Sequence, residues 1–302
     1  MTQVAVSTAA PARAVDTRYE PHPLATSVTA VDRAVTSLSF RTLNVTGSHW
    51  PNAPWIGCEH ALSDPAFFPW WRRALGRQLA QQHALMSEKA LVPDKTTAGY
   101  VLQRYLVIPS YLGGLLFHSA RRVPSLVPRQ MGFRLDFAAL HQIVLRPGRF
   151  WCLPGDPHAG HPDAMPVPDE AALGAVLRLQ VIAHATRFLA VYDPQVRLGR
   201  RTQWAAVTDT LDKALLLAGC SFGSPKAGAA DARLVLADGE KPLTSASTIC
   251  QITDDRGRTH WTRRRSSCCF SYALPGIEHP CASCPRVNDT QRTHILATLN
   301  PA

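Results

Sequence analysis

Apolar positions along the chain recur at helical spacing in some stretches and alternate in others. From Asp64-Pro65 onward, Trp70, Leu75, Leu79 and Leu85 follow a helical period. Residues 95–121 read as helical in two pieces, because Pro109 removes a backbone N–H and crowds the preceding turn. Residues 133–153 read as strands, with Arg146-Pro147-Gly148-Arg149 as a turn between the apolar runs Gln142–Leu145 and Phe150–Leu153. A Pro/Gly/His loop runs from Leu153 to Pro168. Asp169 and Glu170 then open a helix to about Tyr192, where acidic groups suit the positive end of the helix dipole. That helix is apolar nearly all round and is expected to be central. A second helix runs from about Arg200 to Ala218, striped by Trp204, Val207, Leu211, Leu215 and Ala218, with Gly219 placed to end it. Beyond it, RLVLADGEKPL predicts a strand and an Asp-Gly turn. STICQITDDRGRTHWT predicts a hairpin in which Cys250 and Ile252 alternate with Gln251 and Thr253, and DDRG turns. The first 45 residues, rich in Ala, Thr, Val and Pro, lack clear helical periodicity and are expected to form a loosely ordered arm with at most one strand. No internal repeat is visible.

Composition narrows the class. Of 302 residues, 46% are apolar and 18% charged, which describes a chain with a real core and excludes a disordered polyelectrolyte. Lys and Arg number 32 against 22 Asp and Glu, a net +10 that favours acidic partners without choosing among nucleic acid, an anionic membrane surface, an acidic protein or an anionic cofactor. The first residues hold no apolar core segment of a secretory signal and no basic lead-in. The best membrane-spanning candidate, Ala98 to Phe117, contains Gln103, Arg104, Pro109 and three glycines. An Arg at a helix centre costs ~2.5–3.5 kcal/mol on an insertion scale, so this segment reads as a buried core helix. The expectation is a soluble cytoplasmic protein with no integral membrane segment, peripheral membrane association staying open, in a compartment where thiols stay reduced.

Eight cysteines sharpen this. Cys58, Cys152, Cys220 and Cys250 are scattered, while Cys268, Cys269, Cys281 and Cys284 fall within seventeen residues as C-C-x11-C-x2-C. Four thiolates suit tetrahedral zinc or an iron–sulfur cluster. Adjacent side chains diverge and are awkward on one tetrahedral ion, whereas a two-iron cluster offers two metal atoms. The adjacency favours [2Fe–2S], and zinc stays open at this point. A vicinal Cys268–Cys269 disulfide would be strained.

The segment R-R-R-S-S-C-C-F-S-Y-A-L-P-G, followed by C-A-S-C-P, resembles the C-terminal signature of the FhuF-type ferric siderophore reductases. The resemblance covers roughly the last fifty residues. It implies a [2Fe–2S] cluster held by Cys268, Cys269, Cys281 and Cys284. The family spacer between the pairs is usually ten residues and here is eleven, an insertion that a loop around Gly276–Pro280 can absorb at little entropic cost. The resemblance further implies an α+β fold: a helix-rich body with antiparallel strands and a C-terminal cluster-binding segment. The corresponding division is 1–45 arm, 46–245 siderophore-reductase body and 246–302 cluster segment. The implied activity is one-electron reduction of Fe(III) in a siderophore, with hydroxamates favoured, releasing Fe(II). The cluster is its own reacting group, and no further catalytic residue is assigned.

No Walker loop, Rossmann glycine run or G-x-S-x-G is present. Electrons are therefore expected from a separate protein such as a ferredoxin or flavodoxin, the chain acting as a monomer and binding no nucleic acid. Arg256, Arg258, Arg263, Arg264 and Arg265, offset by Asp254 and Asp255, form a stripe that could raise the cluster's potential and dock an acidic donor. Singly, each reads as a solvated charge. Trp261, Phe270 and Tyr272 could shield the cluster or meet the siderophore, although each is more often core. His260 and His279 could protonate a departing hydroxamate oxygen, with a hydrogen-bonded surface role as the plainer reading. His158 and His161, near Asp156 and Asp163, could form a metal site or a solvated loop, and His184 on its apolar helix suits a satisfied core histidine. The competing reading is a non-enzymatic zinc module on a basic nucleic-acid-binding protein, against which the Lys and Arg residues are dispersed. A cluster-bearing relative of siderophore synthetases without reductase activity is a third.

Overall fold

The structure, a computed structural model, describes residues 21–43, 55–84, 92–192, 196, 198–237, 241–277 and 279–299. The fold is α+β, as the resemblance implied. Its centre is α4 (Asp94–Ala120), an unbroken 27-residue helix with Pro109 inside it. The expected break at Pro109 does not occur. The proline forfeits one hydrogen bond, but most side chains on both sides of it between Thr96 and Phe117 are buried, and that packing holds the helix through the defect. Around it lie α3 (Phe67–Ala84), α5 (Glu170–Val191), α6 (Arg200–Ser221) and α7 (Pro225–Val235). The predicted continuation of α3 to Leu85 lies outside the described residues. Helix α5 is capped by Asp169, whose carboxylate accepts from Ala172 N at 2.8 Å. It is peripheral rather than central: Leu173, Leu177, Val181 and Phe188 are buried, while Leu179 is 60% exposed. It is also the one described helix long and apolar enough to cross a membrane.

The expectation of a helix-free arm fails at α1 (Pro23–Ala34). His22 Nδ1 accepts from Leu24 N, Pro23 occupies the first turn, and Leu24, Val28 and Val31 enter the core. The one expected strand exists as β1 (Ser39–Thr42), and a short helix α2 (Cys58–Ser63) precedes α3. Strands β2 (Ile56–Gly57), β4 (Met131–Asp136) and β5 (Ala139–Leu145) join β1 in the order β1-β5-β4-β2. Strands β3 (Arg122–Pro124), β6 (Phe150–Cys152) and β7 (Ala164–Pro166) form a second sheet. Pairing is antiparallel except for β1 with β5 and β6 with β7, which are parallel. The turn at 146–149 thus passes the chain between sheets. The predicted strand in RLVLADGEKPL is instead the end of α7, nucleated by Ser224, whose hydroxyl accepts from Ala227 N, and by Pro225. Its Asp-Gly turn lies outside the described residues.

Gly219 does not end α6 but lies inside it, where α6 and α7 cross. A Cβ on Gly219 would sit 2.7 Å from Ser224 O and 2.8 Å from Gly228 Cα. Both obstacles are backbone, so Gly219→Ala must push the helices apart. A loss of about 1–3 kcal/mol is expected, read from the denaturant midpoint.

His184 is the satisfied core histidine expected of it. Its Nδ1–H donates to Leu126 O at 2.8 Å, and Nε2 accepts from the Tyr105 hydroxyl at 3.1 Å. Burial, outweighing the Leu126 bond, lowers its pKa from 6.5 to about 4. The unfolded chain therefore takes up a proton that the folded chain refuses. Stability is expected to fall as pH drops below 6.5 and to level off below about 4, by roughly 3 kcal/mol in total. Denaturation at stepped pH, compared with the non-titrating His184→Gln, measures this share.

Candidate metal centre

The expected hairpin is present as β8 (Ile249–Thr253) and β9 (Thr259–Arg263), antiparallel, with Gly257 at φ 75° in the turn. It delivers the chain to Cys268 across the face of α6. Two acids one turn apart on that helix fix the delivery. Asp212 accepts from Ser247 Oγ at 2.7 Å, Thr248 N at 3.1 Å and Thr248 Oγ1 at 2.8 Å. Burial raises its pKa despite these donors. Asp209 accepts from Ser266 N at 3.1 Å, Ser267 N at 2.7 Å and Ser267 Oγ at 2.5 Å. The buried guanidinium of Arg263 donates to the Asp209 carbonyl. On the far side, α8 (Asp289–Leu299) contributes buried Arg292, which donates to the carbonyls of Ala282, Cys284 and Val287. Helix α4 backs the segment. Thr96 Oγ1 donates to Phe270 O at 3.1 Å, and a Cβ at Gly99 would stand 3.1 Å from Cys269 O.

These supports bring the four predicted cysteines to one end of the fold. Cys268 Sγ and Cys284 Sγ are 3.8 Å apart. Two sulfurs on one tetrahedral metal, at metal–sulfur bonds of about 2.3 Å, would lie about 3.8 Å apart. The adjacent Cys269 has its Sγ 3.5 Å from Ser271 Oγ and is close enough to Arg265 to feel its charge. Burial alone would raise the Cys269 thiol, but Ser271 and then Arg265 outweigh it and hold it below its ordinary value. Burial pushes Cys268 up to about 11, opposed by the Phe270 N–H at 3.4 Å and reinforced by the Cys284 sulfur. Cys281 is exposed, Cys268 half-buried, and Cys269 and Cys284 are buried.

The donor set fits a [2Fe–2S] cluster. Cys268 is paired with the Cys284 sulfur while Cys269 has Ser271 and Arg265 as neighbours, an arrangement that suits two metal atoms better than one tetrahedral zinc. Arg265 Nε is buried without a hydrogen-bond partner, 3.7 Å from Asp209 Oδ2. An anionic thiolate-bound group beside it would supply the missing hydrogen-bond acceptor.

The arginine run divides by strand alternation. Arg263 and Arg265 are buried, whereas Arg264 turns outward to Asp289 at 2.9 Å. Arg258 Nε lies 2.9 Å and His260 Nε2 2.8 Å from Asp254 Oδ2, so the outer part is an ion-paired turn. Phe270 carries Lys95 over its ring and Tyr272 carries Arg286, while Trp261 packs on the main core. His279 is exposed and lines a cavity described below. The loop histidines form a clasp rather than a cation site. His22, His161 and Asp163 converge, but Leu24 N–H donates to His22 Nδ1 and Asp163 N–H to His161 Nδ1, both at 3.1 Å. Each ring therefore carries its proton on Nε2, the atom a metal would need, and His22 Nε2 donates to Asp163 at 3.2 Å. His158 instead accepts from Arg122 at 2.8 Å.

Asp209, Asp212 and Arg292 are the supports that sequence reasoning missed. Two acids on the apolar stripe of α6, opposite an arginine run, were the available signal for the first two. Arg292 had none.

Residues 265–286, which include all four clustered cysteines, match the family model of the FhuF 2Fe-2S C-terminal domain. The match bears out the resemblance and the [2Fe–2S] cofactor. No curated protein matches the chain.

Proposed function

We propose that this protein is a cytoplasmic ferric siderophore reductase, with Cys268, Cys269, Cys281 and Cys284 holding its [2Fe–2S] cluster. The observation that carries the proposal is the family match over the segment that holds these four cysteines, supported by the 3.8 Å approach of the Cys268 and Cys284 sulfurs. When bound, such a cluster accepts and donates one electron at a time. Fe(III) in a hydroxamate chelate is held by hard oxygens. Fe(II) has a lower charge density and is held far less tightly, so a single electron frees the metal and leaves the ligand intact.

The chain's own residues serve that exchange in three ways. Asp209, Asp212 and Arg292 fix the two cysteine-bearing stretches from opposite sides. Exposed Cys281 and half-exposed Cys268 bring the sulfurs to the surface, where both an electron donor and a substrate can approach. Beside Cys281, a cavity of about 430 Å³ is lined by His279, Pro280, Val287, His294 and Ile295. It offers a chelate an apolar wall and two imidazoles able to give protons to released hydroxamate oxygens. Electrons come from a separate ferredoxin or flavodoxin, with exposed Arg256, Arg264 and Arg286 near the site to meet its acidic surface.

The test reduces the protein anaerobically with dithionite and removes the excess. Ferric hydroxamate, catecholate and carboxylate chelates are then added with a chromogenic ferrous trap. Reoxidation of the cluster with stoichiometric Fe(II) from the hydroxamates is expected. A reduced cluster that transfers no electron to any chelate overturns the proposal.

A further inference from the structure

Four cysteines can be divided between two irons in three ways, and the sequence motif invites the division in which C-x2-C grips one atom. We infer the crossed division instead: Cys268 with Cys284 on one iron, and Cys269 with Cys281 on the other. This rests on the ligand assignment proposed above and not on the substrate.

The geometry points to it in two steps. Cys268 Sγ and Cys284 Sγ already stand at 3.8 Å, the spacing of two sulfurs on one tetrahedral metal. Cys269 and Cys281 share a different pair of neighbours, both lying near the Arg265 guanidinium and the Tyr100 hydroxyl. The backbone explains the crossing. Arg265 N donates to Ser283 O at 3.0 Å, laying the stretch before the vicinal pair alongside the closing loop. Cys284 N donates to Cys281 O at 2.9 Å, closing the C-x2-C stretch into a tight turn against that strand-like approach. Each iron then takes one ligand from each stretch, so the cluster ties 268–269 to 281–284. The eleven-residue spacer becomes uncritical, because the pairing is set by contacts at both ends. The two irons also differ: only the Cys269–Cys281 iron has a fully exposed ligand and Arg265 beside its sulfurs.

The test is spectroscopic and uses the full chain with its cluster. In the one-electron-reduced protein the valences are localised, and the shifted cysteine β-proton resonances sort into a ferric-type and a ferrous-type pair by temperature dependence. Single Cys→Ser variants assign them. The expected result is that Cys268→Ser and Cys284→Ser remove signals from one pair, and Cys269→Ser and Cys281→Ser from the other. Where a serine variant does not load, ⁷⁷Se-selenocysteine at the same position preserves the ligand type. Its hyperfine coupling then places it with the ferric or the ferrous iron. Cys281 and Cys284 falling on the same iron overturns the inference while leaving the ligand assignment intact. Absence of any iron–sulfur signal in the wild type overturns the ligand assignment itself.

Discussion

Replacing any one of Cys268, Cys269, Cys281 and Cys284 by serine is expected to weaken cluster binding by about tenfold or more, read as substoichiometric iron and inorganic sulfide in the purified variant. Changing a residue that merely orients a metal ligand costs 10–100-fold in affinity, and losing a ligand costs at least as much. The effect should be specific. Cys58 and Cys152 are buried in the main core, Cys220 is exposed on α6, and Cys250 lies on β8 with its sulfur 3.2 Å from Arg264 Nη1. Serine at any of these four should keep the visible spectrum of the folded protein. Iron and sulfide assays on all eight single variants check the division. A folded Cys152→Ser protein without a spectrum, or a Cys281→Ser protein with iron, sulfide and turnover intact, would contradict it.

The second large effect is expected at Asp209, which touches none of the four sulfurs by hydrogen bond. Its buried carboxylate takes two backbone N–H groups and a hydroxyl from Ser266 and Ser267, and lies 3.7 Å from buried Arg265. Asp209→Ala leaves those donors unpaired and a guanidinium uncompensated in the interior. Breaking a buried pair from one side costs about 3–5 kcal/mol. The stretch that presents Cys268 and Cys269 loses its anchor at the same time, so thermal stability and cluster content should fall together. Asp209→Asn keeps an acceptor for the serines while losing the charge, and should fall between the wild type and alanine in both measurements.

The chain announces some of this plainly and hides the rest for identifiable reasons. Helix α5 is legible from its Asp169 cap, α6 from its apolar stripe, and the β8–β9 hairpin from its alternation and turn. Helix α1 is present in the spacing of Leu24, Val28, Val31 and Val35, but alanine and threonine between them dilute the pattern. Pro109 and Gly219 mislead in opposite senses. A proline expected to break α4 is overridden by burial on both sides, and a glycine expected to stop α6 is there to let α7 approach. RLVL reads as a strand by its apolar run, while Ser224-Pro225 and the alanines before it start a helix. At the site, the cysteines disclose themselves by clustering. Their supports do not: Asp209 and Asp212 look like polar interruptions of an apolar stripe, and Arg263 and Arg265 look like part of a solvated basic run. Only the packing of this stretch against α6 shows which arginines face inward.

Metal and sulfide analysis of anaerobically purified protein, with electron paramagnetic resonance before and after dithionite, tests the central claim most directly. A [2Fe–2S] centre at the carboxyl-terminal cysteines predicts two iron atoms and two inorganic sulfides per chain, no signal as oxidised, and a spin-one-half signal with bleached visible absorbance after one electron. A colourless protein carrying one zinc and no sulfide, silent before and after the reductant, would contradict it.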